Sequence, residues 1–513
     1  MISVRDGMRR AVQWYRNERA VVCGEVELTF GQAWSRGCRF ANALRAAGVE
    51  PQDRVAVLEE NSLEAADFLL ATAIGNFVRV PLYKRNAPEA HAHMIRQTGC
   101  KALVVDERHL HEVEGIRAMV PSLEHIIVRG ADYEQWLASF PDTDPDPKID
   151  IEDYYIIRHS GGTTGLPKGM GFSNRAWMNM QRDLTYLLPR IEPGDACIHV
   201  APISHGSGYL FVPVWILGGY QVLEPKFDPV RALKQLSVHG GYMFAVPTLI
   251  SDLLAETDKS AKLRYDKLKA LVLSGAPMLP QTALRARAVF GDVLNQFYGQ
   301  TEATPIAWMT PKDWFREVQG SQPLLAAGRV MPFGRIEIRD DENRALPTGE
   351  VGEIAIQVDG QISEIWNAPE LTRQRIVDGW VLTGDVGRVD ENGYVYLSDR
   401  KDDLIITGGF NVWPAELEMV IGDLPQVREV VVVRAPHDRF GETPAAIIVL
   451  HEGAQLTAAE VIETCERRLG KIKRPSIVEF RSESLPRTAV GKLRRSEVRK
   501  KFWEGSSQVM RGS

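Results

Sequence analysis

The sequence predicts an α/β fold in more than one domain. Three observations predict it. The 513 residues exceed what one hydrophobic core usually supports. Short β-rich runs alternate with helical patterns over the first three quarters of the chain. Past about Gly328 the pattern changes to strands punctuated by turns. The hydrophobic fraction of 44% and charged fraction of 25% are ordinary for a globular protein, so motifs must carry the functional argument.

From the N-terminus, Met1 to Ala20 mixes Arg5, Arg9, Arg10, Arg16 and Arg19 with Asp6 and Glu18 and lacks a signal peptide's apolar core. No window has the apolar length of a membrane-spanning helix. The five cysteines, Cys23, Cys38, Cys100, Cys197 and Cys465, include no C-x-x-C pair and read as reduced core residues of a cytoplasmic protein. Strands are expected at Arg54 to Leu58, Ala102 to Val105, Tyr154 to Ile157, Gln221 to Leu223 and Ala270 to Leu273. Helices such as Ala33 to Ala46 and Pro280 to Phe290 lie among them, which favours a parallel sheet covered by helices. Pro141 to Pro147, PDTDPDP, has spaced aspartates but neither the glycine nor the closing glutamate of a calcium loop, and reads as a solvated linker.

Strands at Arg335 to Arg339, Gly352 to Gln357, Trp380 to Thr383 and Gly393 to Leu397 predict a small β-rich subdomain. The charged run Asp399-Arg400-Lys401-Asp402-Asp403 then marks a hinge, dividing a domain over 1–398 from one over 404–513. The second part holds strands at Glu429 to Arg434 and Ala445 to Leu450 and a helix at Ala458 to Leu469, enough for a small α+β domain. A net charge of −6 gives no electrostatic footprint for nucleic acid or an anionic membrane.

Directly after the strand at Tyr154 comes Ser160 to Gly169, SGGTTGLPKG. Ser160, Gly161, Gly162, Thr163, Thr164 and Gly165 allow a tight backbone that turns N–H groups and hydroxyls toward a polyphosphate, and Lys168 adds a point charge. The loop is not a Walker A sequence, because Lys168 follows Pro167 and Gly169 stands where Ser or Thr would meet magnesium. Taken alone it is equally a flexible glycine turn. The rest of the chain decides between the two.

Further motifs follow in order: Tyr298 to Glu302 (YGQTE), Thr383 to Asp385 (TGD), the hinge run, and Pro486 to Lys492 (PRTAVGK). With them the chain closely resembles the superfamily of adenylate-forming enzymes, which joins acyl-CoA synthetases, peptide-synthetase adenylation domains and beetle luciferases. The motifs span Ser160 to Lys492, so the resemblance covers essentially the whole chain. It implies a large N-terminal domain of two α/β subdomains plus a small β-subdomain, followed by a small mobile α+β C-terminal domain that rotates between two half-reactions. The implied chemistry is ATP-dependent conversion of a carboxylic acid to its acyl adenylate, then acyl transfer to CoA.

Within that resemblance, Thr163 and Glu302 are oxygen ligands of the magnesium (Mg2+) that bridges the ATP phosphates. Thr301 binds the α-phosphate. Tyr298, followed by Gly299, lies against adenine, and Gly275-Ala276-Pro277 lets main chain approach the nucleotide. Asp385 accepts from both ribose hydroxyls, with Arg400 nearby. Lys492 is the mobile catalytic lysine, bridging substrate carboxylate and α-phosphate as charge builds at phosphorus. The substrate carboxylate is itself the nucleophile, so no protein nucleophile is needed. Found alone, Glu302 and Tyr298 would read as a surface carboxylate and a turn tyrosine.

His205, in PISHGSG, matches the family's aromatic or histidine position at the mouth of the acyl pocket; a core or loop histidine is the alternative. Gly206, Ser207 and Gly208 are small and leave room beside it, which favours a roomy or bulky acid. His91 with His93, and His109 with His111, lack the partners that would argue zinc and read as surface residues. Gly161 and Asn174 depart from the commonest family pattern, where Ser and His are usual. Gly409, in Gly408 to Pro414, resembles the segment lining the pantetheine tunnel of CoA ligases, which favours CoA as acceptor. Asp402 aligns with the hinge pivot. The in-family alternative is a stand-alone adenylation enzyme loading a carrier protein. Outside it stands a non-catalytic nucleotide-binding regulator, which the intact Lys492, Glu302 and Asp385 oppose. The expected partners are a carboxylic acid, ATP and CoA, with no nucleic acid and no stable membrane insertion.

Overall fold

The computed structural model describes residues 2–82, 84, 86, 88–159, 167–257, 262–276, 278–400, 403–407, 410–437, 440–471, 473–487 and 493–504, with backbone alone at 399, 400, 410, 411 and 441. Three sheets organise it. The first has seven strands in the order Glu364–Ile365, Gly169–Ser173, Tyr154–His159, Val78–Pro81, Arg54–Leu58, Ala102–Asp106, His125–Arg129. The last five of these run parallel. Both faces are covered: Val55 and Val57 point into one core, Ala56 and Leu58 into another. That is why the strand reads as a continuous apolar run rather than an alternation.

The second sheet has 14 strands. Its centre is a parallel set in the order Leu294–Tyr298, Leu268–Leu273, Gly241–Ala245, Ala196–His199, Tyr220–Leu223, Arg19–Cys23. Beyond Leu294–Tyr298 the sheet turns antiparallel through Ala307–Met309 and Gly328–Val330. It continues into the β-rich part, Tyr394–Arg400, Trp380–Val389, Gly352–Val358 and Gly334–Arg339. The third sheet pairs Val427–His437 with Gly441–Leu450, and Ile477–Arg481 joins the latter in parallel. Helices Pro414–Gly422 and Ala458–Leu469 cover one of its faces and Arg495–Trp503 the other. A large N-terminal domain and a small α+β C-terminal domain result, as expected.

Local signals explain where elements stop. Helix Pro280–Phe290 begins with proline in its first turn and ends at Gly291, whose φ of +84° suits glycine and whose N–H bonds Arg287 O. Helix Ala458–Leu469 is opened by a capping box between Thr457 and Glu460.

Three expectations need correction. Strand Trp380–Val389 runs six residues past Thr383, and Tyr394–Arg400 continues to a pairing of Arg400 with Asp385, so the ladder takes in the first two residues of the expected hinge. The segment PDTDPDP is strapped down, not loose: buried Arg5 binds Asp144 at 2.7 Å and also Asp146, and Asn42 donates to the carbonyls of Pro141 and Thr143. His91 and His109 are buried. His109 Nδ1 lies 2.8 Å from Glu112, whose carboxylate is 3.8 Å from His91 Nε2; a shared acidic partner inside the fold, not solvent, accommodates both rings. Among the described residues no helix is long and apolar enough to cross a membrane.

Candidate active site

Ligands of open α/β sheets bind beyond the carboxyl ends of the strands, where the strand order reverses. In the larger sheet the chain steps from Ala196–His199 outward to Tyr220–Leu223 and then back across to Gly241–Ala245, so the reversal lies beside Ala196–His199. His205 follows that strand. Gly275 and Ala276 follow Leu268–Leu273, and Gly299 to Glu302 follow Leu294–Tyr298. In the smaller sheet the same reversal lies between Arg54–Leu58 and Ala102–Asp106, and Glu59 follows the first of these. Asn61 joins the two edges. Its amide donates to the carbonyls of His199 and Ala201 at 2.8 and 2.9 Å and accepts from Ile203 N at 2.8 Å.

At one corner of the larger sheet the YGQTE and TGD motifs meet on one carboxylate. Tyr298 Oη donates to Asp385 Oδ2 at 2.6 Å, and Gln300 Nε2 donates to the same oxygen at 2.5 Å. Gln300 also reaches Thr383 O at 2.9 Å. Asp385 is buried, and Gly384 before it sits at φ +68°, which bends the strand so that Asp385 faces the cluster. Gly275 at φ +91° gives the exposed turn expected where main chain meets a ligand. A side chain at Gly299 would place its Cβ 2.3 Å from Thr304 Oγ1, so that glycine serves packing of the motif itself. The ring of Tyr298 is buried and its hydroxyl engaged, which makes it a strut for Asp385.

Arg375 completes the corner. Its Nη2 donates to Glu302 Oε1 and Thr383 O, both at 2.9 Å, and lies 3.3 Å from Gln300 Oε1. It closes helix Pro369–Arg375, and sequence reasoning passed over it because it belongs to no motif. Asn61 was missed likewise, although a short polar residue three positions past the end of an apolar strand is a signal for such a link. Thr301 is half-buried next to Glu302, and Lys168 is exposed. His93 Nε2 lies 3.0 Å from the carbonyl of Pro167, beside Lys168. Ser160, Gly161, Gly162, Thr163, Thr164, Gly165, Pro277, Asp402, Gly409, Lys492 and the side chain of Arg400 lie outside the described residues.

His205 is buried and lines a small pocket with Glu59, Leu82, Lys84, Pro202 and Ser204. Its neighbours do not leave room in the way expected. A Cβ at Gly206 would come within 2.5 Å of the Phe244 ring, and one at Gly208 within 1.9 Å of Ile203 O. These glycines exist because that space is already filled, so they say nothing of a bulky acid. Ser207 is fully buried, its hydroxyl 2.7 Å from His199 Nδ1, while His199 Nε2 lies 2.8 Å from Gln221 Oε1. Ser207 thus braces the loop from behind.

Burial, reinforced by Arg158, Arg79 and Lys84, holds the His205 imidazole well below the ordinary histidine range. Glu59 behaves oppositely. Burial pushes its carboxyl up to about 7, against the opposing pull of Arg129 at 2.9 Å.

Comparison with known proteins gives the family. The AMP-binding enzyme family model matches residues 8–366, and the model for the C-terminal domain of AMP-binding enzymes matches residues 416–492. A fatty acid–acyl-carrier-protein ligase from Streptomyces coeruleorubidus is 33% identical over 498 residues, covering 95% of this chain and 94% of that protein. A medium/long-chain-fatty-acid–CoA ligase from Mycobacterium tuberculosis is 28% identical over 529 residues, covering 98% of this chain and 90% of that protein. The crystal structure of ATP-bound MatB from Rhodopseudomonas palustris superposes with a TM-score of 0.87 at 27% identity, covering 98% of this chain and 99% of that one. The two family models together span the large N-terminal part and the small α+β domain, and the chain belongs to the AMP-binding enzyme family.

Proposed function

We propose that the chain activates a carboxylic acid with ATP, forming an acyl adenylate and pyrophosphate, and then passes the acyl group to the thiol of CoA, releasing AMP. The observation that carries this reading is the convergence of Tyr298 and Gln300 on Asp385, some 85 positions along the chain. In this reading Asp385 accepts from the ribose, Thr301 meets the α-phosphate, and Ser160 to Gly165 with Lys168 hold the phosphates. Lys492 balances the charge that develops as the substrate carboxylate attacks phosphorus.

The residues present fit magnesium. Among the described residues no set of three or more His, Cys, Asp or Glu could hold a metal. Glu302, with Thr163, supplies the one carboxylate and one hydroxyl that suit an ion bound mainly through phosphate oxygens and water. Magnesium supplies charge neutralisation on the phosphates. Arg375 occupies only Oε1 of Glu302 and so fixes the plane of that carboxylate. Glu302→Gln is expected to raise the magnesium concentration needed for half-maximal pyrophosphate release by about tenfold, the scale of one lost charged contact. An unchanged magnesium titration would remove Glu302 from the site.

The decisive experiment is a pyrophosphate-release screen over fatty, aryl and polycyclic acids, each with and without CoA. Absence of acid-dependent release with every class would favour a nucleotide-binding regulator. The similarity to a carrier-protein ligase supports a second reading, in which a phosphopantetheinylated carrier replaces CoA. Supplying both acceptors to a preformed adenylate separates the two.

We also assign the hinge to the charged run 399–403, whose first two residues close the strand ladder, with its pivot at Asp402, between the nucleotide-binding domain and the part carrying Gly409 and Lys492. Proline fixes φ near −65° and removes an N–H, so Asp402→Pro is expected to spare part of adenylation while thioester formation falls at least tenfold further. Equal loss in both half-reactions would refute a pivot at this position.

A further inference from the structure

Lys168 stands between two peptide planes, and one helix holds both. The first plane carries the carbonyl of Pro167 and the N–H of Lys168; the second carries the carbonyl of Lys168 and the N–H of Gly169. His93 Nε2 lies 3.0 Å from Pro167 O. A carbonyl only accepts, so that ring nitrogen carries a proton. Gly169 N donates to Gln97 Oε1 at 3.1 Å. His93 and Gln97 are four positions apart on helix Pro88–Thr98 and project from the same face. Fixing both planes fixes φ and ψ of Lys168, and with them the direction in which its side chain leaves the backbone.

The mount is tied on its far side as well. Gly169 O accepts from Trp366 N at 2.8 Å, and Gln97 Nε2 donates to Trp366 O at 3.1 Å, so the Gln97 amide adds a rung between Gly169 and Trp366. Asn367 Nδ2 donates to Gln97 O at 2.9 Å, which joins the helix itself to that segment. A Cβ on Gly169 would come within 2.8 Å of Ile157 Cγ2, so the chain is seated directly on the neighbouring strand. From Trp366 the chain runs into helix Pro369–Arg375, whose last residue holds Glu302 Oε1 at 2.9 Å. Just before Trp366, Ile362 N donates to Glu302 O at 2.8 Å. One short stretch of chain thus supports both Gly169 and Glu302.

We propose that His93 and Gln97 are positioning residues that aim Lys168 at the phosphates of ATP. They act through Lys168. A lysine ammonium is a point charge on a flexible four-carbon stem, so its aim depends on how firmly its backbone is held. Lys168 is exposed, and packing around its side chain does little of that work. A misplacement of about 1 Å is enough to lose most of a positioned contact. This assignment rests on the reading of Lys168 as a phosphate-binding residue of an ATP-dependent acid-activating enzyme.

The test needs no acid substrate, because calorimetry of the full chain gives the affinities for AMP and for ATP with magnesium. Thr301 takes the α-phosphate in that reading, so AMP reports the rest of the site and ATP adds the phosphates that Lys168 meets. Lys168→Ala is expected to weaken ATP binding by about tenfold, the scale of one charge-assisted contact, and to leave AMP within about twofold. His93→Phe keeps a ring and removes the donor; Gln97→Met keeps the length and removes both amide contacts. Each should weaken ATP by about five- to tenfold and leave AMP within about twofold. His93→Gln, whose amide nitrogen can donate where Nε2 did, should return ATP affinity to within about twofold of wild type. Added to Lys168→Ala, His93→Phe should cost less than about twofold further, since residues that act through a shared partner are not additive. Wild-type ATP affinity in both His93→Phe and Gln97→Met overturns the proposal. Equal loss of ATP and AMP affinity, or a His93→Phe loss that adds in full to that of Lys168→Ala, also overturns it, because the two residues would then serve packing alone. His93 is half-buried, so its variants decide the matter where Gln97→Met does not fold. Unchanged ATP affinity in Lys168→Ala instead refutes the phosphate reading beneath.

Discussion

Replacing Lys492 by alanine is expected to lower acyl-adenylate formation by roughly 100-fold or more, the scale of losing one preorganised contact to developing charge. The effect should fall on turnover rather than on ATP binding, because the ammonium is needed most when the pentacoordinate phosphorus carries its greatest charge. Thioester formation from a supplied acyl adenylate should survive far better, since that step breaks a bond the lysine no longer has to stabilise. Acid-dependent pyrophosphate exchange measures the first step, and CoA consumption from synthetic adenylate measures the second. Near-wild-type exchange in Lys492→Ala would show that PRTAVGK is a solvated basic strip and not a catalytic segment.

Asp385 should give the second large effect, expressed in ATP binding. Asp385→Ala is expected to raise the KM for ATP by roughly 10- to 100-fold, the equivalent of hydrogen bonds to a charged acceptor worth about 1.5–3 kcal/mol. Asp385→Asn should be no milder. Tyr298 Oη and Gln300 Nε2 both donate to Oδ2, so an amide nitrogen turned toward them would set donor against donor. The backbone ladder between Trp380–Val389 and its neighbours does not depend on that side chain, so the variant should still fold. Unchanged ATP affinity in both variants would detach TGD from the nucleotide.

The parts of this structure that were legible in the sequence are those where one local signal decides. Pro280–Phe290 is bounded by a proline and a glycine, and Arg54–Leu58 by turn residues and an unbroken apolar run; both appear where the pattern puts them. Strand Trp380–Val389 was read as less than half its length because Gly384, a residue that normally ends a strand, serves here to bend one. That Asp385 and Tyr298 belong together was recognisable from motifs. Arg375 was not, because its place is fixed by Gln300 and Thr383, some 75 and 8 positions away. Ser207 failed for a related reason. Small residues look the same in sequence whether they line a cavity or fit under a ring, and only Phe244, Ile203 and His199 show which applies here.

The edge of the larger sheet also sets an order of events during synthesis. Strand Arg19–Cys23 is synthesised long before its parallel partner, Tyr220–Leu223. At translation rates of about 5–20 residues per second, that interval of some 200 residues lasts roughly 10 to 40 s. During it, Val21 and the hairpin strand Val26–Thr29 have no sheet to join. The Arg54–Leu58, Val78–Pro81, Ala102–Asp106 and His125–Arg129 strands, by contrast, find one another within about 75 residues of chain. The smaller sheet can therefore condense first and present Phe68 and Trp136 as a surface against which Phe40 of helix Phe30–Ala46 packs. The N-terminal strand then waits beside it, already screened from other nascent chains, until the larger sheet arrives to take it in.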